Sequence, residues 1–403
     1  MAADVDFPDG PRARAAPPAR PPAHINGKRR QYRTEAGKTY GHPIQATLPG
    51  THRFPSAATR LAAAMSISER IMSPERIDNA LYGMFTTHAL HLADKYGVAA
   101  HLISHGPSDA AAVAAARGVD ADTLERLLVV LAAAGLLVRD RAGRYRVADP
   151  VAPYLDPGHP RYLGAFLAHL VDNTVATLGR LDAYLARGKA AVDAALPSPF
   201  ESIYRDAEAT AAFLAAMWQL SYAPSKELCA LAALDEVDEL VDVGGASGAF
   251  AVAALHRYPR LRVTVFDLPQ VEPHLRATAR ERGLSGRLAF RAGDFFRDEL
   301  PPADCLAFGY VLSDWADDVC VELLRKAYKA CRGGGRVLVM ERLFDEDGGP
   351  LSTAAMNLSM HVETHGRHRT AAEYAALLTA AGFDDCTTHR SSWEKHLVVG
   401  RRA

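Results

Sequence analysis

The sequence predicts an α/β protein in which a mostly parallel, doubly wound sheet follows a small α-helical domain of the winged-helix type. Three observations predict this class. Strand-like and helix-like segments alternate from Leu240 onward, an apolar strand breaks into a glycine-rich turn at 244–248, and two short helices with a strand pair precede both. Alternating strands and helices favour a parallel sheet covered on both faces, so we expect a ligand at the carboxyl ends of the strands.

Composition limits the classes of function. The chain has 403 residues, 49% hydrophobic and 23% charged, which is typical of a globular protein with two folded domains. Lys and Arg number 46 against 47 Asp and Glu, so the net charge is −1 and favours neither nucleic acid nor an anionic membrane as a partner. No apolar run reaches the roughly 18 residues that span a bilayer. We expect a small-molecule substrate.

Cysteine usage indicates the compartment. Five cysteines are present, none of them in a C-x-x-C pair, which argues against a disulfide framework or a structural zinc site. The amino-terminal residues contain no apolar signal core. We therefore expect a reducing, cytoplasmic location.

The chain divides into three predicted regions. Residues 1–68 are expected to form a disordered tail, because the first 64 residues hold nine of the 24 prolines and ten basic against four acidic side chains. Such a segment buries too little apolar area to offset its ordering entropy. Residues 69–190 are expected to form the winged-helix domain, and residues 191–403 the domain that contains the sheet and the ligand site.

Order is expected to begin at Ser73-Pro74, where Ser73 caps a helix that runs to Gly97. Helices at 109–117 and 122–134, then strands at 136–139 and 144–147, give the winged-helix order. The second of these helices carries a single arginine, so we expect it to serve packing or dimerisation rather than DNA binding. The opening helix has apolar residues at helical spacing: Ile77, Leu81, Phe85 and Leu92.

Two long apolar helices, at 161–194 and 207–233, are expected to lead into the sheet. The sheet region then alternates strands and helices up to residue 340. The expected strands are 240–243, 263–266, 288–290, 305–312 and 337–340, and the expected helices are 248–257, 271–282 and 317–330.

The glycine-rich turn predicts a nucleotide-like ligand. Gly244, Gly245 and Gly248 carry no Cβ, so the backbone can approach a ligand closely at a helix amino terminus. Asp267 ends the second strand 23 residues after Gly244, where a carboxylate can accept both hydroxyls of a ribose. Asp294-Phe295 follows the third strand and supplies an acid for an adenine amino group and a ring for its face.

Five motifs in this order, DVGGASG, FDLPQV, GDFF, YVLSDWADD and GGGRVLVMERL, resemble those of the S-adenosylmethionine-dependent small-molecule O-methyltransferases. The pattern is most similar to the plant caffeate-type and bacterial antibiotic-tailoring enzymes. The resemblance implies a Rossmann-like class I methyltransferase domain, a homodimer formed through the winged-helix half, and a small acceptor in secondary metabolism. It also implies that S-adenosylmethionine is held by a set of residues at the strand ends: Gly244, Gly245, Gly248, Asp267, Leu268, Asp294 and Phe295.

The catalytic pattern departs from the family at one position. In the family the residue that aligns with Ser313 is usually a histidine, which takes the proton from the substrate hydroxyl. Serine has no accessible ionisation near neutral pH and cannot replace a base that contributes roughly 10²- to 10⁴-fold. Glu341 matches the family carboxylate that orients this base, and a second family carboxylate falls on His368.

Three histidines, His361, His365 and His368, lie close to that second position. If the segment is helical through 365, His361 and His365 share one helix face. One hypothesis is that a histidine of this group is a relocated base. A second is that His361 and His365 hold a divalent or ferric ion with Asp314 or Glu363, for methylation at carbon of an α-keto or catechol-like substrate. A third is that they only hydrogen-bond a polar substrate. Some relatives keep the cofactor but catalyse hydroxylation, decarboxylation or rearrangement, and that class remains a further alternative.

Overall fold

The computed structural model describes residues 74–194, 196, 200 and 203–403. The expected tail at 1–68 and the expected helix cap Ser73 lie outside the described residues. Within the described part of the chain, no helix combines the length and apolar character needed to cross a membrane.

The amino-terminal helices and hairpin follow the predicted order. Asp109 and Asp120 each cap a helix, because one carboxylate oxygen accepts an N–H three residues later at 2.8 Å. The following strands pair in antiparallel fashion, and Leu128 and Tyr145 pack in the buried core of this region. The elements are α1 (Pro74–Lys95), α2 (Val98–His105), α3 (Ala110–Arg117), α4 (Ala121–Ala133), β1 (Leu137–Arg139) and β2 (Tyr145–Val147).

The outer part of α1 is apolar and exposed. Its side chains that follow helical spacing do not pack on the core of the same chain, and their exposed fractions lie between 57% and 68%. Contiguous exposed apolar surface of this kind marks an interaction site. The residues concerned are Ile77, Leu81, Tyr82, Met84 and Phe85.

The single helix predicted at 161–194 is wrong. The chain forms four short α-helices there, and a π-helical turn at Leu170–Thr174 follows the first of them. Gly188, with φ of 80°, separates the last two of these helices. The prediction failed because hydrophobic periodicity does not detect such short breaks in a helix. A short helix, α5 (Ala152–Leu155), precedes this segment, and the four helices within it are α6 (Gly164–His169), α7 (Val175–Leu178), α8 (Leu181–Arg187) and α9 (Lys189–Asp193). The second long helix is confirmed as α10 (Ala207–Ala232), which contains Pro224.

The central sheet has seven strands in the order β10-β11-β7-β6-β3-β4-β5. The neighbouring pairs from β7 to β5 are parallel, whereas β11 runs antiparallel to β7 and β10 antiparallel to β11. The parallel part was predicted, and the antiparallel edge was not. The strands are β3 (Glu239–Val243), β4 (Arg262–Asp267), β5 (Leu288–Ala292), β6 (Ala303–Gly309), β7 (Cys331–Glu341), β10 (Asp384–His389) and β11 (His396–Arg401); β8 (Leu343–Phe344) pairs with β9 (Arg369–Thr370) separately.

Helices cover both faces of this sheet. Alternate strand residues face opposite sides, so Leu240 and Ala307 pack beneath α10 and α11 (Ala249–Arg257), while Val241 and Phe308 pack beneath α13 (Asp317–Ala330) and α15 (Ala371–Ala381). α12 (Glu272–Glu281) lies on the first of these faces. The predicted doubly wound α/β architecture is confirmed.

The predicted end of one strand is wrong. The strand expected at 305–312 ends at Gly309, because Tyr310 adopts a left-handed backbone with φ of 58° and Leu312–Asp314 forms a 3₁₀ turn. α14 (Leu351–Glu363) ends two residues before His365, so the condition under which His361 and His365 share a helix face is not met. A Cβ on Gly366 would lie 2.0 Å from the main-chain oxygen of Ser313, so the chain leaves the helix to pack directly on that turn.

A buried arginine fixes the same turn. The Arg369 guanidinium is fully buried and donates to the main-chain oxygens of Leu312 at 3.0 Å and Trp315 at 2.8 Å, and to Asp317 Oδ1 at 2.6 Å. The β9 strand therefore holds the segment that follows β6 in place.

We predict that Arg369→Met lowers the free energy of unfolding by about 3 kcal/mol, because the two carbonyl oxygens lose a charged donor in a buried setting. Arg367→Met is the matched control: Arg367 also pairs with Asp317, at 3.0 Å, but is half exposed, so its loss is expected to cost less than about 1 kcal/mol. Urea unfolding measures both free energies, provided that the variants keep the wild-type dependence of the unfolding free energy on urea concentration. Equal losses in the two variants would contradict the proposed role of Arg369.

Candidate functional site

The glycine-rich turn after β3 has the geometry that its residue types predict. Gly244 and Gly248 have left-handed φ values of 64° and 74°. A Cβ on Gly245 would lie 2.8 Å from Asp242 Oδ2, and a Cβ on Gly248 would lie 2.5 Å from Leu275 Cδ1. Side chains are therefore excluded here, and the turn presents bare backbone in front of α11.

Asp267 ties this turn to the end of β4. Its Oδ2 accepts the N–H of Ala246 at 2.7 Å and its Oδ1 accepts the N–H of Leu268 at 2.7 Å. Burial raises the pKa of the Asp267 carboxyl to about 6, against the effect of these two backbone donors. Each carboxylate oxygen keeps a further lone pair for a ligand hydroxyl.

A cavity of about 400 Å³, here named the glycine-turn cavity, opens at this edge of the sheet. Six of the seven residues expected at the cofactor line it, and Gly248 alone lies behind the turn, against Leu275. On its far wall, Asp294 Oδ1 accepts the N–H of Phe296 at 2.8 Å. The lining includes Gly244, Gly245, Asp267, Leu268, Asp294 and Phe295, together with Asp242, Tyr310, Trp315 and Lys395.

A second cavity of about 100 Å³, the inner cavity, adjoins the first. Its walls are mainly apolar and aromatic, with Phe166, Leu220 and Met356 among them. Besides Tyr310, its polar lining residues are His169, Thr174, Ser313, Asp314, Arg342, Ser359, Glu363, Thr364 and His368. The two cavities share a wall formed by Phe200, Phe213, Met217, Tyr310 and Asp314.

Asp314 is the carboxylate at this shared wall. Burial, together with the nearby charges of Glu341 and Glu363, raises the pKa of Asp314 well above its usual range. Glu341 is fully buried, and its Oε1 accepts the N–H of Ser313 at 3.2 Å. Burial raises the pKa of Glu341 to about 7 although the charge of Lys395 opposes the shift. Glu341 therefore holds the Ser313–Asp314 turn instead of a histidine base.

The structure separates the three histidines. His368 is buried in the inner cavity, and neither ring nitrogen has a partner among the described residues. Burial, Arg342 and Arg369 lower its pKa to about 4, so the ring is neutral near pH 7. His361 is exposed, with its ring centroid 5.8 Å from that of Tyr184, and His365 is exposed on an outer cavity of about 710 Å³.

The metal hypothesis finds no support in this geometry. Because α14 ends at Glu363, His361 and His365 do not share a helix face. Among the described residues, no three His, Cys, Asp or Glu side chains are grouped so as to hold a metal ion.

Sequence reasoning missed His169, Thr174 and Lys395, polar residues that line the cavities from outside the five motifs. Glu363 Oε1 accepts from Ser359 Oγ at 3.0 Å and from Thr174 Oγ1, and Glu363 Oε2 lies 3.9 Å from His169 Nε2. His169 directly precedes the π-helical turn and Thr174 is its last residue, and this turn carries no motif that could have marked them. Lys395 precedes the unpredicted strand β11 and was missed for the same reason.

A larger cavity of about 830 Å³ lies at the opposite edge of the sheet, where β3, β4 and β5 begin. Its lining shares no residue with the glycine-turn cavity or the inner cavity. Ligands of open α/β sheets bind at the carboxyl ends of the strands, so the functional site lies at the glycine turn.

Comparison with known proteins places this geometry in a family. Residues 181–384, about half of the chain, match the model of the O-methyltransferase domain, and residues 79–154 match that of the O-methyltransferase dimerisation domain. The acetylserotonin O-methyltransferase of Mus musculus molossinus is 35% identical over 311 residues, which cover 74% of this chain and 80% of that protein.

Two further comparisons agree. The 3-hydroxy-5-methyl-1-naphthoate 3-O-methyltransferase of Streptomyces sahachiroi is 33% identical over 338 residues, 82% of this chain and 96% of that protein. The crystal structure of human N-acetylserotonin methyltransferase in complex with S-adenosylmethionine superposes with a TM-score of 0.75 at 29% identity, covering 88% of this chain and all of that one. The chain therefore belongs to the family of S-adenosylmethionine-dependent small-molecule O-methyltransferases.

Proposed function

We propose that the protein transfers the methyl group of S-adenosylmethionine to a hydroxyl oxygen of a small aromatic or enolic acceptor, in a tailoring step of secondary metabolism. The observation that carries this proposal is the meeting of the glycine-turn cavity with the inner cavity at Asp314 and Tyr310. The names of the relatives, which include acetylserotonin and hydroxynaphthoate methyltransferases, support an aromatic acceptor.

The residues present fit the cofactor. The glycine turn leaves space that a Cβ would fill, Asp267 offers two fixed oxygens for ribose hydroxyls, and Asp294 with Phe295 offers an acid and a ring for adenine. When bound, S-adenosylmethionine supplies an electrophilic methyl group. The aromatic rings of Phe200, Phe295 and Trp315 limit access of water to this region.

The inner cavity is suited to a flat acceptor. Apolar walls would bind its ring, and polar side chains that include Asp314, Arg342 and His368 also line the cavity. His368 is neutral and lacks hydrogen-bond partners among the described residues, so an acceptor hydroxyl or carbonyl would satisfy a nitrogen that is otherwise buried without a partner.

We assign removal of the acceptor proton to Asp314. It is the carboxylate that lines both cavities, and its raised pKa makes it a stronger base than an ordinary aspartate. Of the three histidines considered as a relocated base, His368 alone lines the inner cavity. Its lowered pKa makes it a weak base, which supports a hydrogen-bonding role instead.

The proposal also includes a homodimeric assembly and a cytoplasmic location of the protein. Residues 69–190 would form the dimerisation half and residues 191–403 the catalytic half of a homodimer. The exposed apolar side chains of α1 and the match to a dimerisation domain support this assignment. All five cysteines are free, which supports a reducing, cytoplasmic environment.

We predict that Asp294→Ala weakens binding of S-adenosylhomocysteine by roughly tenfold or more, because a charged hydrogen bond contributes about 1.5–3 kcal/mol. Asp318→Ala, which removes an exposed carboxylate outside the glycine-turn cavity, is expected to bind normally. Titration calorimetry measures both. Unchanged affinity in the folded Asp294 variant would remove this residue from the cofactor site.

The reaction itself is tested with methyl-labelled S-adenosylmethionine and a panel of phenols, hydroxyindoles, naphthols and enols. We expect the labelled methyl group to be bonded to an oxygen of the acceptor, with an equimolar amount of S-adenosylhomocysteine. Product that forms while the cofactor keeps its methyl group would instead establish a non-methylating reaction. A protein that binds the cofactor but gives no S-adenosylhomocysteine with any acceptor would contradict the proposed activity.

For a weakly acidic phenol, Asp314→Asn is expected to lower kcat/KM by roughly 10²- to 10⁴-fold, because the base is lost. For an acceptor that is already ionised at the assay pH, the loss is expected to be far smaller. His361→Ala, an exposed histidine outside both cavities, is the control and should leave both rates unchanged. Similar losses for both acceptors would mean that Asp314 acts through structure alone.

The pH profile gives an independent check. Asp314 must be ionised to accept a proton, and its pKa is raised, so kcat/KM of the wild-type protein should fall as pH drops through a value well above the ordinary aspartate range of about 3.9. A base at His368, whose pKa is lowered to about 4, would instead keep the enzyme active down to that pH.

A further inference from the structure

Lys395 lines the glycine-turn cavity, and the proposed methyl transfer assigns it no role. It directly precedes β11, is 2% exposed, and lines the cavity. Its Nζ lies 4.0 Å from the centroid of the Tyr310 ring, and a Cβ on Gly309 would lie 3.0 Å from Nζ. No salt bridge joins this Nζ to a carboxylate of a described residue. Burial lowers the pKa of Lys395 to about 8, and the charges of Glu341 and Asp242 oppose that shift without direct contact.

The local backbone is shaped around this ammonium group. Gly309 leaves the space that Nζ occupies, and the left-handed φ of 58° at Tyr310 turns the phenol ring to face it. A non-glycine residue in this backbone region is strained, and such strain concentrates at functional sites. The ring attracts the cation through its π face, so Nζ is held at the cavity wall rather than directed to solvent.

A buried acid shares the cavity with Lys395. Asp242, on β3, is 2% exposed, and its Oδ2 has no hydrogen-bond partner among the described residues. Burial raises the pKa of Asp242 to about 7, and the charge of Lys395 opposes the shift. Asp242 Oδ2 and the Lys395 ammonium are buried without an ion-pair partner in direct contact, which is unfavourable unless a ligand pairs with them.

These two groups are complementary to a zwitterion. An α-amino acid end carries one carboxylate for Lys395 and one ammonium for Asp242. The sheet order supports that match. The residues expected to bind the nucleoside, Asp267 at the end of β4 and Asp294 after β5, lie on one side of β3, whereas Gly309 and Lys395 lie on the β6 and β11 side. A ligand that spans the cavity would present its two ends to these two groups of residues.

We propose that Lys395 binds the carboxylate, and Asp242 the ammonium, of the amino acid tail of the cofactor, and that Lys395 thereby selects against adenosine thioethers without a carboxylate. This assignment rests on the proposed function for the identity of the nucleoside. Lys395 lines the glycine-turn cavity and not the inner cavity, so it is placed to bind the cofactor and not the acceptor.

The test compares three ligands by calorimetry: S-adenosylhomocysteine, its analogue without the carboxylate (S-adenosyl-3-thiopropylamine), and 5′-methylthioadenosine, which lacks the whole tail. In the wild-type protein, removal of the carboxylate is expected to weaken binding roughly tenfold or more. Lys395→Met is expected to weaken S-adenosylhomocysteine to a similar extent and to leave 5′-methylthioadenosine nearly unchanged. The amine analogue should bind the variant no more weakly than it binds the wild type.

Lys226→Met is the matched control, because Lys226 also lies over a tyrosine ring, at 4.9 Å from the centroid of Tyr222, but is exposed and outside the cavity. It should bind all three ligands normally. If Lys395→Met weakens all three ligands equally, or none, Lys395 has only a structural role and the proposal is overturned. If the variant does not fold, equal wild-type affinity for S-adenosylhomocysteine and the amine analogue still overturns it. Failure of the wild-type protein to bind any of the three would instead contradict the proposed function.

Discussion

The burial of ionisable side chains at the carboxyl edge of the parallel sheet is the constraint on which the site depends. Asp242 within β3, Asp314 after β6, Glu341 at the end of β7 and Lys395 just before β11 all lie at this edge, around one pair of cavities. In water at neutral pH, each of these side chains would be fully charged. Burial raises the pKa of the three acids and lowers that of the lysine to about 8, so the protonation of each group depends on its neighbours. The proposed ligand recognition and the proposed proton transfer both depend on this shared electrostatic setting.

Two packing contacts keep that setting in place. Arg369 binds the carbonyl oxygens of the turn after β6, and Gly366 packs its backbone on the same turn. They fix Asp314 where the two cavities meet and place His368 beside it. The catalytic geometry thus depends on a segment some fifty residues downstream in sequence, because β9 and the end of α14 return to the turn after β6.

Ser313 stands where the family usually has a histidine base, yet the turn around it is held and the cavity beside it is kept. Glu341 still binds this turn, now through the Ser313 N–H, and a neutral His368 occupies the inner cavity. Sequence spacing grouped His368 with His361 and His365, yet these two lie on the exposed side. The grouping failed because helical spacing has meaning only while the helix continues, and α14 ends at Glu363.

The sequence by itself determined the alternation of strands and helices, the glycine turn, and the acids at 267 and 294, because each depends on local backbone and side-chain chemistry. The hairpin and capped helices of the amino-terminal region were predictable for the same reason. Only the tertiary structure decided where β6 and α14 end, that β10 and β11 complete the sheet, and that Lys395 and His169 reach the cavities. These features arise from contacts between residues distant in sequence, such as Gly366 with Ser313 and His396 with Glu341, for which local periodicity carries no signal.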